Sequence, residues 1–343
     1  MGSVIPIEKA FVPSSLLAFY LATAGTVYLS VIMTHGLIIV VNLSDWSKGN
    51  GLMPNDEILA SLALSNLCFS SSSIADYFCS LIWEDFYSVF NKVQRVIFTL
   101  DIATSFSSFW FTAWLSVFYC MKIVNFKQAF LLKMKLKFSG LIHWLLLGST
   151  VVSLGAALLF QWAVRITAHG KEAKETSNQT AGLPSTFNGT CNNVNEKPIL
   201  LHMSPFYRLL IILLGCSVPL MVVVSSSVPV LYSLVRHTQK AEESLSPFQL
   251  EAHLSAAKAV LSLLLCYAVL VTSQTLIRME IFRNWTYQYF LCLSIQLATL
   301  LAQSTVLIRS NPKLKQAAAQ LLSGLPGYHR KGNNGRRTDS QEV

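Results

Sequence analysis

Residues 10–44 decide the fold: they read AFVPSSLLAFYLATAGTVYLSVIMTHGLIIVVNLS and contain no Asp, Glu, Lys or Arg. A helix needs about 20 mostly apolar residues to cross the hydrocarbon of a bilayer. This run therefore predicts a membrane-spanning helix. Its apolar stretch is longer than the roughly 7–15 residues of a signal-peptide core, and no basic cluster precedes it, so we expect it to stay in the mature chain as a signal anchor.

The rest of the chain repeats this pattern. Of its 343 residues 52% are hydrophobic and only 13% are charged, whereas soluble domains carry about 25% charged residues. Period-two alternation of polar and apolar residues is absent, which argues against an outer-membrane barrel. The sequence predicts an all-α bundle of seven transmembrane helices. The predicted spans are about 16–43, 58–83, 94–122, 138–164, 207–235, 256–278 and 286–309.

The distribution of Lys and Arg sets the orientation, because these residues concentrate on the cytoplasmic side. With the N-terminus outside, the inner segments hold 16 of the 26 basic residues; these segments are 44–57, 122–137, 236–258 and 309–343. Segment 122–137 carries five lysines and no acid, which suits an anchor on anionic lipid. The membrane thus accounts for the net charge of +9, and no soluble basic module indicates a nucleic-acid partner.

The polar segment 165–204 is then an outer loop. It contains Asn178-Gln179-Thr180 and Asn188-Gly189-Thr190, two N-glycosylation signals, so we expect sugars at Asn178 and Asn188. Cys191 lies in the same loop. No cysteine lies near residues 88–100, at the outer end of the third predicted span, that could form a disulfide with it there. We expect a free Cys191, with a disulfide to Cys79 as the open alternative.

Residues 109–126, FWFTAWLSVFYCMKIVNF, closely resemble the helix-three signature of the bitter taste receptors, the type 2 family of G-protein-coupled receptors. Five further segments resemble the family in the same order: VNLSDWSKG (41–49), LALSN (62–66), YSLVRHTQK (232–240), HLSAAKAVLSLLLCY (253–267) and QSTVLIRSNPKLKQ (303–316). Three positions depart from the family pattern. Asn66 stands where Arg is usual, Gln303 replaces a usual His, and His35 stands where helix one commonly has Asn.

The resemblance implies a receptor domain over residues 1–316 and a cytoplasmic tail over 317–343. It implies a small bitter agonist outside the cell and a heterotrimeric G protein of the gustducin or Gi type inside, with no enzyme activity, cofactor or metal. The residues placed at the G-protein face are Tyr119, Lys122, His237, Lys258 and Asn311. The alternative for Lys122 is a lipid anchor, since its side chain can reach the headgroups.

Two acids lie within the predicted spans, Asp76 and Asp101. Intramembrane acids normally face the bundle interior or a water-filled cavity. Asp101 precedes Tyr119 by eighteen residues, or five turns at about 3.6 residues per turn, and so shares its face of helix three. In the family the outer third of the bundle holds the ligand. We therefore predict that Asp101, helped by Asp76, binds a cationic amine.

Further residues are predicted to line the same site: Ser105 one turn below Asp101, Tyr77 and Phe106 as aromatic walls, and Gln274, Cys292 and Gln296 on helices six and seven. Two alternatives remain open for the acids. One is an internal ion pair with Lys92, Arg95 or Arg278, and the other is a protonated, uncharged carboxyl. Polar residues within spans also often bond neighbouring helices instead of ligands, and His35 is expected to do so.

A rival function is a small-solute transporter or channel with a membrane-embedded carboxylate site. Transporters often show internal repeats and interrupted helices, and neither is visible here. An intramembrane aspartyl enzyme would carry YD and GxGD motifs, which are absent, as are phosphate-loop, HExxH and nucleophile-elbow motifs. The sequence leaves self-association into a homo-oligomer open.

Overall fold

The computed structural model describes residues 14–47, 53–82, 87–124, 137–138, 140–159, 161, 210, 213–241, 247–278 and 287–323. Within these ranges every regular element is a helix. The helices are α1 (Ser14–Ser47), α2 (Pro54–Ile82), α3 (Tyr87–Ile123), α4 (Gly140–Leu159), α5 (Val218–Ala241), α6 (Pro247–Arg278), α7 (Tyr287–Ser310) and α8 (Pro312–Ser323). Helices α1 to α7 are long and apolar enough to cross a membrane, which confirms the predicted seven-helix bundle.

Helix α3 runs through the centre and packs against α2, α5 and α6, while α1 packs against α2, α7 and α8. One buried apolar cluster, which includes Phe106, Phe109 and Tyr267, fills the outer part of the bundle. A second cluster, which includes Leu115 and Leu307, fills the inner part. Large apolar side chains such as Met33, Trp144 and Met221 are exposed on the outside of the helices. That surface suits a bundle solvated by lipid instead of water.

The outer end of helix five is irregular. A π-helical turn, Leu213–Ser217, precedes α5, and Pro219 follows it at the second residue of the helix. Proline has no N–H to donate, so the backbone bonding of a regular helix is interrupted there. The turn brings Gly215 against the Phe106 ring so closely that a Cβ would overlap it. The Tyr267 hydroxyl donates to the Cys216 carbonyl at 3.3 Å, so α3 and α6 both contact the turn.

Helix α8 is capped and attached by residues at its start. The Asn311 side-chain oxygen accepts a hydrogen bond from the Lys313 N–H at 3.1 Å, the contact of a helix N-cap, and Pro312 fills the first helical position. The Lys313 ammonium contacts the Asp56 carboxylate at 3.0 Å and the Asn42 side-chain oxygen at 3.3 Å. These bonds hold α8 against the inner ends of α1 and α2.

Candidate functional site

The Asp101 carboxylate lies in the outer half of α3 and contacts side chains of α2 and α6. Its Oδ1 accepts a hydrogen bond from the Ser73 hydroxyl at 2.7 Å and a longer one from Ser72 at 3.5 Å. Its Oδ2 lies 3.4 Å from an Nη of Arg278, the last residue of α6. The side chains of Asp101 and Arg278 are 19% and 12% exposed. The structure therefore pairs Asp101 with one of the three cations that the sequence offered as alternatives.

Arg278 has more partners than Asp101. Its Nε donates to the Gln274 side-chain oxygen at 2.9 Å, and its Nη2 donates to the Ser105 hydroxyl at 2.7 Å. The guanidinium also stands over the Phe106 ring, 5.3 Å from the ring centroid, where a cation is attracted to the aromatic face. The guanidinium would thus keep partners on α3 and α6 if the contact with Asp101 were broken.

Two glutamines close the arrangement into a ring. The Gln274 amide donates to the Gln296 side-chain oxygen at 2.7 Å, and the Gln296 amide donates to the Ser73 hydroxyl at 3.3 Å. Both glutamines are buried. We call the six connected residues the outer network; they are Ser73, Asp101, Ser105, Gln274, Arg278 and Gln296. It joins α2, α3, α6 and α7 through polar contacts alone.

The other predicted pocket residues lie around this network. Asp76 is half-buried on α2 and is hydrogen-bonded by the Gln94 side chain of α3. Cys292 is buried on α7, one turn before Gln296. Tyr77 belongs to α2, but its side chain lies outside the described part of the chain. The structure thus joins Asp101, Ser105, Phe106, Gln274 and Gln296, and it leaves Asp76 and Cys292 beside them.

Ser72 and Ser73 were not predicted as site residues. They end a run of four serines, residues 70–73, inside a membrane span. Hydroxyl groups in a bundle commonly bond across helices, so that run was the signal available in the sequence. Which serine faces α3 depends on the rotation of α2 about its axis.

A second polar group lies deep in the bundle. The Asn66 amide donates to the Gln303 side-chain oxygen at 3.0 Å and to His35 Nε2 at 3.3 Å, and its own oxygen accepts from the Ser108 hydroxyl. The Gln303 amide donates to Thr112 at 3.2 Å. We call these residues the central cluster; they are His35, Asn66, Ser108, Thr112 and Gln303. All five are buried.

The central cluster explains the three departures from the family pattern together. His35, Asn66 and Gln303 come from α1, α2 and α7, and each contacts at least one of the others. The interhelical hydrogen bond expected of His35 is confirmed. His35 Nδ1 lies 3.0 Å from the Val31 carbonyl, so the two contacts fit an uncharged imidazole with its proton on Nδ1.

At the inner end, Tyr119 packs beside Val230 of α5 and Val260 of α6, and it hydrogen-bonds Ser310 of α7. Lys122 and Lys258 are exposed. The side chain of His237, together with the loop that carries Asn178 and Asn188, lies outside the described residues. Tyr119 therefore stands where α3, α5, α6 and α7 approach one another, with two of the predicted lysines on the surface nearby.

Seven membrane-spanning helices around a polar outer site place the chain in the class of seven-helix membrane proteins. A family model described as Taste receptor protein (TAS2R) matches residues 13–325. The chain is 30% identical to taste receptor type 2 member 40 of Gallus gallus over 85% of this chain and 90% of that protein. It is 29% identical to member 41 of Pan troglodytes, covering 92% and 98% of the two chains. The chain belongs to the type 2 taste receptor family.

The family assignment carries the general function. The protein is a G-protein-coupled bitter taste receptor, a multi-pass protein of the plasma membrane, and not an enzyme. It also favours the receptor interpretation over the transporter or channel.

Proposed function

We propose that the bitter agonists of this receptor bind at the outer network and that Asp101 receives a cationic amine. The single observation that supports this is the loose contact between Asp101 and Arg278. One guanidinium nitrogen lies 3.4 Å from the carboxylate, whereas a charge-assisted N–H···O bond is usually about 2.7–2.9 Å long. The carboxylate is thus neutralised but not tightly held.

An incoming ammonium group would replace Arg278 at Oδ2 of Asp101. The guanidinium would keep its hydrogen bonds to Gln274 and Ser105 and its contact with the Phe106 ring, so its N–H groups would stay bonded after the carboxylate pairs with the ligand. This matters because an unpaired charge in the bundle is strongly unfavourable. Asp76 adds a second negative charge on the outer side, while Tyr77 and Cys292 complete the proposed rim of the site.

Agonist binding must favour one arrangement of the helices over another to produce a signal. Replacing Arg278 at Asp101 removes a contact between α3 and α6. At the inner end the same two helices meet around Tyr119 and Val260. We propose that a G protein of the gustducin or Gi type binds there, and the proposed contacts are Tyr119, Lys122, His237, Lys258 and Asn311. We also propose that Asn178 and Asn188 carry glycans, because the proposed topology places their loop outside the cell.

The substitution Asp101→Asn tests the ligand assignment. We expect the potency of cationic bitter compounds to fall about tenfold or more, which corresponds to about 1.4 kcal/mol, while uncharged compounds lose less than about threefold. Calcium release through a promiscuous G-protein chimera measures both, after surface expression has been matched. Asp76→Asn is the comparison, because it removes the other acid and leaves the Asp101–Arg278 pair intact. We expect it to lower the potency of cationic compounds less than Asp101→Asn does. Equal losses for both kinds of compound, or none, would contradict the proposal.

A further inference from the structure

A cavity of about 120 Å³ lies between α1, α2 and α7, beside the outer network. Helix α1 contributes Leu21, Ala24 and Gly25, and helix α7 contributes Leu293 and Leu297. None of the residues that had been predicted to contact ligand lies on α1. The cavity is therefore separate from the carboxylate of Asp101, although the two share a wall.

The shared wall is formed by Ser73 and Gln296. Their polar groups are engaged, since Ser73 donates to Asp101 and accepts from Gln296, whose side-chain oxygen accepts from Gln274. The hydroxyl of Tyr28, another lining residue, is hydrogen-bonded to Ser71 at 2.8 Å. A molecule in the cavity would meet hydrocarbon and polar groups that already have partners. A charged molecule would lose its hydration there without a matching ion.

Gly25 leaves the α1 side of the cavity open. A Cβ added at Gly25 meets no atom within 4 Å, although the residue is not fully exposed. Apolar protein cavities of similar size, about 150 Å³, stay dry and hold a benzene molecule. Both the volume and the lining therefore fit a single uncharged ring.

We propose that this cavity is a second ligand site, which binds small uncharged aromatic molecules of about the size of toluene. Such a molecule packs against Gly25 and Ala24 on one side and against Leu293 and Leu297 on the other. It needs no hydrogen bond from the protein. It touches Ser73 and Gln296, and so contacts the outer network without touching Asp101.

Thermal unfolding of the purified full-length receptor in lipid nanodiscs, with and without toluene, tests the site. A ligand that binds only the folded state raises the melting temperature. At a free toluene concentration of about ten times its dissociation constant, we expect a rise of about 2–4 °C. Gly25→Leu fills the cavity and should abolish the rise. Gly36→Leu is the matched control, because Gly36 also lies on α1 with open space at its Cβ but does not line the cavity.

The expected result is an equal rise for the natural receptor and Gly36→Leu, with none for Gly25→Leu. The same shift in all three proteins would overturn the proposal, because partitioning of toluene into the lipid affects them alike. The absence of a shift in all of them would overturn it too, because toluene would then not stabilise the folded receptor. If Gly25→Leu does not fold, Ala24→Leu is used instead, because Ala24 lines the same cavity. Toluene should then leave the melting temperature of Ala24→Leu unchanged. The measurement needs no agonist or G protein, so its failure and that of the proposed function are separable.

Discussion

The outer network and the central cluster both join α2, α3 and α7 through polar side chains, yet they differ in charge. The outer network contains a carboxylate and a guanidinium, both partly exposed. The central cluster contains amides, hydroxyls and an imidazole, all buried. A charge at the bilayer centre costs about 3 kcal/mol or more, and near the outer end water reduces that cost. We therefore expect the charged contact to exchange partners when ligand binds and the uncharged cluster to hold the helices together.

The largest effect should come from the central cluster. Asn66→Leu removes one acceptor and two donor contacts at once and leaves His35, Ser108 and Gln303 with unmatched groups. Buried polar groups without partners are expensive, so we expect a loss of about 2–4 kcal/mol, seen as a lower melting temperature and weak surface expression. Ser70→Ala is the control, because Ser70 is equally buried but bonds only the Leu67 carbonyl of its own helix. Equal stability of the two variants would show that the central cluster does not hold the helices together.

A double-mutant cycle sharpens the comparison at the outer network. Asp101→Asn and Arg278→Gln should each lower the melting temperature, and the double variant should lose less than the sum of the two. We expect a coupling free energy of about 1–2 kcal/mol, because the pair is partly exposed and partly desolvated. A coupling near zero would show that the carboxylate and the guanidinium do not depend on each other in the free receptor.

The smallest effect should come from the Asp56–Lys313 pair, whose side chains are 15% and 30% exposed. We expect Lys313→Gln to cost less than about 1 kcal/mol and the difference to shrink as salt is added. Hydrogen exchange of α8 amides is the sensitive measurement, with Lys315→Gln as the control on the exposed side of the same helix. Faster exchange in both variants alike would mean that the ion pair does not attach α8.

The cap of α8 could have been predicted and was missed. Asn311-Pro312 places a preferred N-cap residue before a preferred first helical residue. The family resemblance implied for Asn311 only a place at the G-protein face. The structure adds a local reason for its presence, since its side chain satisfies the Lys313 N–H.

The amino-acid sequence by itself determined the number of membrane helices and, through the ordered motifs, the family. Both follow from contiguous stretches of the chain. A helix that crosses the hydrocarbon of a bilayer needs a long uncharged run, and each family motif is a short segment of neighbouring residues. It also placed Asp101, Gln274 and Gln296 in the outer half of their helices.

Only the tertiary structure decided which partners meet. Asp101 and Arg278 are 177 residues apart. From the sequence, any of three basic residues could have formed an ion pair with either acid. Asn66 and Gln303 are separated by 237 residues. A helix presents a different face every 100° or so, so a partner is chosen by the rotation and depth of each helix in the bundle. Those quantities follow from the packing of all seven helices together, which no single segment encodes.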